Sequence, residues 1–243
     1  MVDTRRARGD RGPVDVSQLS PSNQDYLKAL LSLREKGEEQ VTASLLAQRV
    51  GVRLSSASDA IRRLDKAGLV THQPYGAVQL TPQGHAFAVE MLRRHRLIES
   101  FLVEVLGYTW DEVHQEAESL EHCVSASFVE RVDSLLKFPE RDPHGDPIPH
   151  ADGTYPVSAD VPTEPLAEVP EGSVAVIDRI DDSDSQLLQY LSTVGVCIGV
   201  QIRVESAGQY AGGHHYVVDG AQEPVLLSKE AAAAISVRRL PNL

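Results

Sequence analysis

Cysteine is scarce in this chain of 243 residues: only Cys123 and Cys197 occur, and neither belongs to a Cys-x-x-Cys pair. A disulfide framework and a zinc ribbon are thereby excluded, and a reducing cytoplasm is the expected setting. Aromatic residues make up 5% against a hydrophobic total of 42%, so aliphatic packing is expected to dominate the cores. No apolar run approaches the ~18 residues that a membrane span needs. The Arg-rich start, residues 1–13, lacks the apolar stretch of a signal peptide. His-Glu-x-x-His and a nucleophile elbow are also missing, which argues against a hydrolase. The length suggests two domains with a small third.

A basic surplus is lacking too, but only on average. The net charge is −12, yet residues 41–97 hold eight Arg or Lys against three acids, a local +5. Residues 141–243 hold six bases against fifteen acids, a local −9. A basic module inside an acidic protein is what a DNA-binding domain requires. Ser20-Pro21 opens a helix with a stripe at Tyr26, Leu27, Leu30, Leu31 and Leu33. Thr42 to Val50 reads as a second helix and Gly51 as a turn. A third helix, capped by Ser55 or Ser56, buries Ala57, Ala60, Ile61 and Leu64. Residues 69–80 alternate around the turn Gln73-Pro74-Tyr75-Gly76. This order is that of a winged helix-turn-helix. Its third helix would face base edges with Arg53, Ser55, Ser56, Ser58 and Asp59, while Arg62, Arg63 and the wing tip at Tyr75 reach phosphates. A winged helix used only for protein contacts is the plainer alternative. Arg5, Arg6, Arg8 and Arg11 stand in a tail, residues 1–19, expected to be disordered.

Against these absences stands His114-Gln-Glu-Ala-Glu118-Ser-Leu-Glu121-His122. His114, Glu118, Glu121 and His122 fall at i, i+4, i+7 and i+8, along one face of a helix over residues 111–123. His95 and Glu99 form a second i, i+4 pair. Nitrogen and oxygen donors without thiolate suit Mn²⁺ or Fe²⁺. A solvated polar face is the bland alternative.

A long helix from Pro82 into His95, further helices over 97–106 and 127–136, and the cluster helix form an amphipathic set. It has too little room to bury its apolar residues alone, so a dimer interface is expected. Residues 139–170, rich in Pro, Gly, Asp and His, read as a linker or a functional loop. Beyond Ser173, strands at 174–177, 200–204, 215–218, 224–227 and 235–238 with one helix at 185–193 suggest a small SH3-like β-barrel. The fold class is thus mainly α for the first two-thirds, with a β-barrel at the end. The expected domains are a DNA-binding domain at 20–90, a helical metal-binding and dimerisation domain at 91–140, a linker at 141–170 and an SH3-like (FeoA-like) domain at 171–243.

Over residues 20–240 the chain resembles the diphtheria-toxin-repressor family of metal-dependent repressors, most like its three-domain manganese regulators. Asp25-Tyr26-Leu27, Arg94-His95-Arg96-Leu97-x-Glu99, Glu121-His122 and Pro143-His144-Gly145-Asp146-Pro147-Ile148-Pro149 carry the likeness. The resemblance implies an ancillary site at His95, Glu99 and His114 and a primary site at Asp25, Glu118, Glu121 and His122. Iron-sensing members place Met and Cys where this chain has Asp25 and Glu118, and that exchange of sulfur for oxygen moves the preference towards Mn²⁺. Lys28 stands where two-domain manganese members carry Glu, which counts against their compact binuclear geometry. By register, Asp178 and Asp181 would complete the ancillary site, with Asp182 and Asp184 nearby.

The implied function is a cytoplasmic, homodimeric repressor that binds palindromic operator DNA when two Mn²⁺ per chain are bound, one of them bridging the DNA-binding and dimerisation domains. Fe²⁺, Co²⁺ or Zn²⁺ can substitute for Mn²⁺. An iron-responsive repressor, a winged-helix regulator of a non-metal ligand and a metallohydrolase are the alternatives. His72, His85, His144, His150, His214 and His215 lack helically spaced carboxylates and are expected on the surface or in loops.

Overall fold

The computed structural model describes residues 14–73, 76–206, 214–220 and 223–240. Arg5, Arg6, Arg8 and Arg11, and the wing tip at Tyr75, lie outside the described residues. The chain forms two compact units. The first comprises residues 14–95, Glu121–Glu130 and Pro149–Tyr155; the second comprises Arg96–Leu120, Arg131–Ile148 and Pro156 onward.

In the first unit, Ser20 caps α1 (Pro21–Glu35), its hydroxyl accepting from the Asn23 amide at 3.4 Å. Thr42 caps α2 (Ala43–Val50) in the same way, and Gly51, at φ 72°, closes it in the left-handed region that glycine adopts without strain. α3 (Leu54–Lys66) starts two or three residues earlier than the expected serine cap implies. Arg53 takes the cap position without a side-chain bond, so Ser55 and Ser56 lie in the first turn. The buried face is as expected: Ala57, Ala60, Ile61 and Leu64. β1 (Val70–His72) and β2 (Val78–Leu80) pair antiparallel and form the wing.

Thr81 fixes the start of α4 (Pro82–Glu104): its Oγ1 donates to the Gly68 carbonyl at 2.8 Å and accepts from the Gly84 amide at 3.0 Å. A Cβ on Gly84 would lie 1.8 Å from the Leu69 oxygen, so only glycine allows α4 this close to the chain entering β1. Leu27, Leu30, Leu46, Ile61, Leu64 and Met91 centre the core. The two helices expected at 82–95 and 97–106 are one, because nothing between them breaks a helix. Arg94 is instead held by Glu90 one turn back, at 2.9 Å.

Two shorter helices follow, α5 (Val113–Leu120) and α6 (Ala126–Leu135). In the second unit a six-stranded sheet has the order β3-β8-β4-β5-β6-β7, all pairs antiparallel. Its strands are β3 (Glu164–Pro165), β4 (Val174–Ile180), β5 (Gln201–Ser206), β6 (His214–Val218), β7 (Val225–Leu227) and β8 (Ile235–Arg239). α7 (Ser185–Thr193) follows β4 and a one-turn α8 (Lys229–Ala233) precedes β8. This is a small SH3-like domain, with Ile177, Ile180, Leu188, Tyr216 and Val237 in its core. β3 and α8 are too short to leave a periodic trace in the sequence.

The segment expected as a linker is in part tightly packed. Asp142, His144, Asp146 and Ile148 are buried, and the Asp142 amide donates to the Asp146 carbonyl at 3.0 Å. Gly145, at φ 86°, sits where a Cβ would be 2.1 Å from the Asp178 oxygen, so the loop lies directly on β4.

Candidate metal centre and nucleic-acid interface

In the first unit, one turn of α1 meets the residues just after α5. The helix face expected from His114 to His122 is not continuous: α5 stops at Leu120, and Glu121 and His122 stand in the following turn. His122 Nε2 lies 2.9 Å from Asp25 Oδ1 and 3.6 Å from Glu121 Oε1. On its other side, His122 Nδ1 donates to Gln24 Oε1 at 2.7 Å, while Gln24 Nε2 donates to the carbonyls of Val16 and Leu19. Those two bonds fix the amide's orientation and hence the imidazole tautomer, leaving the Nε2 lone pair facing two carboxylates. Such an arrangement fits a divalent cation.

Glu121 is fully buried, its Oε1 accepting from Lys28 Nζ at 2.6 Å and its Oε2 from His95 Nδ1 at 2.7 Å. Burial pushes its carboxyl pKa up, but His95 and Lys28 outweigh that and hold it below the usual carboxylate value. Glu118 lies at the end of α5, 3.8 Å from His114 Nε2.

The second unit carries another cluster around Glu99, one α4 turn beyond His95 and fully buried. Glu99 Oε1 is 3.2 Å from His114 Nδ1, which is 3.1 Å from Asp182 Oδ2. Burial disfavours the imidazolium, yet Asp182 and Glu99 raise the His114 pKa to about 10. Among the two expected aspartates and their neighbours, therefore, Asp182 reaches the cluster. Asp178 is instead clamped by Arg238 at 2.6 Å and Arg141 at 3.0 Å. Asp181 accepts from the Ser183 amide, and Asp184 caps α7 through the amides of Gln186 and Leu187. The reason is a bulge in β4 between Ile177 and Arg179, which makes Asp178 the extra residue and re-aims it.

His144 and Asp142 were missed in the sequence. His144, expected at the surface, is fully buried and stacks on Trp110 at a centroid distance of 6.0 Å. Its Nε2 donates to the Trp110 carbonyl at 2.7 Å. Its Nδ1 has no hydrogen-bond partner among the described residues and points 3.9 Å from Glu99 Oε2. Ligand atoms of Glu99, Asp142 and His144 all lie within 4.8 Å of one another. Burial opposes the charge on His144, but Glu99 and Asp142 lift its pKa to about 10. A buried ring nitrogen held between carboxylates again fits a cation. The Pro-His-Gly-Asp string was the available signal, but it is not helical and shows no ligand spacing. His214 and His215 lie on β6 rather than at a loop tip.

On α3, Arg53, Ser55, Ser56, Asp59, Arg62 and Arg63 are exposed and Ser58 is half-buried, its hydroxyl donating to the Leu54 carbonyl. Arg62 pairs with Asp59 one turn back. The helix thus offers hydroxyls and cations on its outer face, which is what groove reading and phosphate contact need.

A winged helix in a chain that also holds clusters of buried imidazole and carboxylate defines a metal-dependent DNA-binding repressor. The comparisons agree along the chain. Residues 18–78 match the N-terminal DNA-binding domain of iron-dependent repressors, 81–150 their metal-binding and dimerisation domain, and 164–239 the FeoA domain. The iron-dependent repressor IdeR of Mycobacterium tuberculosis is 32% identical over 234 residues, covering 93% of this chain and all of that one. A manganese-dependent transcriptional repressor solved in complex with manganese is 45% identical, with a TM-score of 0.83 over 90% of this chain and 100% of that one. The manganese regulator SloR is 32% identical, with a TM-score of 0.74 over 91% and 100%. The chain belongs to the iron-dependent, diphtheria-toxin-repressor family, whose members are transcriptional repressors and not enzymes.

Proposed function

We propose that this repressor is activated by Mn²⁺. The observation that carries this is the donor set Asp25, Glu121 and His122, with Glu118 one turn before His122 in sequence. It is all oxygen and nitrogen, with no thioether or thiolate, and so favours a hard ion over Fe²⁺. Bound there, the ion supplies two positive charges to a site built of carboxylates. Asp25 brings α1 to it, and Glu121 with His122 brings the turn after α5. Because Leu27 and Leu30 of α1 pack in one core with Ala57 and Ile61 of α3, holding α1 also holds the DNA-reading helix. A second ion per chain is assigned to Glu99, His114 and Asp182, with His95 one helical turn from Glu99 and with Asp142 and His144 as further donors.

The DNA-reading residues of this proposal are Arg53, Ser55, Ser56, Ser58 and Asp59, with Arg62 and Arg63 on phosphates. Exposed Leu106, Leu135 and Phe138 in the second unit support a homodimer. A dimer would set two α3 helices roughly 34 Å apart on a palindromic operator. Its place of work is the cytoplasm; no helix among the described residues is long and apolar enough to cross a membrane.

The 32% identity to an iron-dependent repressor favours iron as the second reading. Operator binding measured against Mn²⁺, Fe²⁺, Co²⁺ and Zn²⁺ at buffered free concentrations separates them. Activation by Mn²⁺ within the concentrations cells hold, with Fe²⁺ ineffective anaerobically, is the expected result; the reverse order overturns it. Asp25→Ala should abolish Mn²⁺-dependent operator binding while the dimer persists in sedimentation.

A further inference from the structure

Lys28 is the least expected residue on the buried face of α1. From Tyr26 to Leu33 that helix is buried throughout, and a lysine there is 7% exposed. An ammonium removed from water is costly unless it is paired. Its partner is the Glu121 carboxylate at 2.6 Å, and His95 Nδ1 lies 3.4 Å away. Lys28 and His95 thus each take one oxygen of the fully buried Glu121.

The same Glu121 Oε1 faces His122 Nε2 at 3.6 Å. A cation seated among Asp25, Glu121 and His122 would therefore share this oxygen with the ammonium. A carboxylate oxygen has a second lone pair for the purpose, but two positive centres would then lie within a few ångströms of each other beside a carboxylate that is itself fully buried. Their repulsion acts only when the ion is present, whereas the attraction of Lys28 to Glu121 acts whether or not an ion is bound.

We propose that Lys28 is a built-in counter-cation of the metal site: it stabilises the ion-free state, weakens Mn²⁺ binding and so sets the concentration at which the repressor switches. This rests on the metal-sensor reading above and adds its regulation. Lys28 is a positioning and tuning residue and holds no ion itself. A lysine that merely braces the fold predicts a different pattern, in which its loss weakens ion-free stability and metal binding alike.

The test uses the full chain and Mn²⁺ alone. Affinity is read by calorimetry and by the electron paramagnetic resonance signal of free Mn²⁺. The component lost in Asp25→Ala marks this site. Lys28→Met and Lys28→Gln remove the charge, the second keeping a hydrogen-bond donor should the first fail to fold; Lys28→Arg keeps the charge. Both neutral variants should melt at a lower temperature in EDTA yet bind Mn²⁺ about tenfold more tightly, with Lys28→Arg near wild type. Neutral variants that tighten binding by less than about threefold, or weaken it, overturn the role of Lys28. Wild-type protein that takes up no Mn²⁺ at all overturns the sensor reading, and the counter-cation with it.

Discussion

The two clusters show how much a single side chain's surroundings decide. Asp178 and Asp182 are four residues apart and chemically identical, yet one is clamped by two arginines and the other faces His114. Asp182→Asn should lower the Mn²⁺ stoichiometry of the second cluster from one towards zero, as measured by metal analysis after gel filtration. Asp178→Asn should leave the stoichiometry unchanged and cost about 1–2 kcal/mol in denaturant unfolding, since its arginine partners are partly solvated. The sequence spacing could not separate these residues, because a bulge leaves no mark on residue type. His144 was hidden for a related reason: its ligand-like environment is made by a loop lying on β4, not by helical spacing. A pH prediction follows from the same residues. His114 and His144 each have a pKa raised to about 10 when folded, so the ion-free native state holds more protons than the unfolded chain between about pH 6.5 and 10. Their stabilising contribution is complete below the unfolded pKa and disappears as pH rises through 10. Chemical unfolding in EDTA should show stability falling over that window, and a rise there would contradict the cluster's geometry.

At the scale of elements, the helix-turn-helix was legible because its signals are local: caps at Ser20 and Thr42, a left-handed Gly51, and an apolar stripe at the helical period on α3. Five of the six strands of the SH3-like domain were legible through alternation and turn residues, and β3 was not. What the pattern left out was the meeting of elements. Gly145 is the clearest case, since it both requires a positive φ and touches the backbone of β4. Gly145→Ala should strain the backbone and push the loop off the strand, costing about 2 kcal/mol or more. Because Asp142 and His144 ride on that loop, the variant should also weaken Mn²⁺ binding at the second cluster while leaving the Asp25 component intact. Equal loss at both, by calorimetry, would mean that the loop supports the whole fold and not one site.

Across the whole molecule the charge is divided by task. The window that holds α2, α3 and the wing, residues 41–80, has five bases against two acids, a local +3, whereas residues from 141 onward carry −9. A uniformly acidic protein of net −12 would be repelled by DNA at every approach; this distribution instead presents one attractive face and penalises docking through the SH3-like domain. Arg53, Arg62 and Arg63 are exposed and positioned by α3, so operator binding should release counterions in spite of the overall charge. Affinity should fall by about 0.9 log units per neutralised phosphate for each tenfold rise in salt. With several such contacts in each half of a dimer, the loss between low and physiological salt should be steep. Arg62→Ala and Arg63→Ala together should flatten that slope while leaving the Mn²⁺ midpoint unchanged, because neither side chain touches a metal cluster. A mobility-shift series over salt at saturating Mn²⁺ reads both quantities. A slope that stays flat in the wild type would mean that α3 meets a protein surface and not a phosphate backbone.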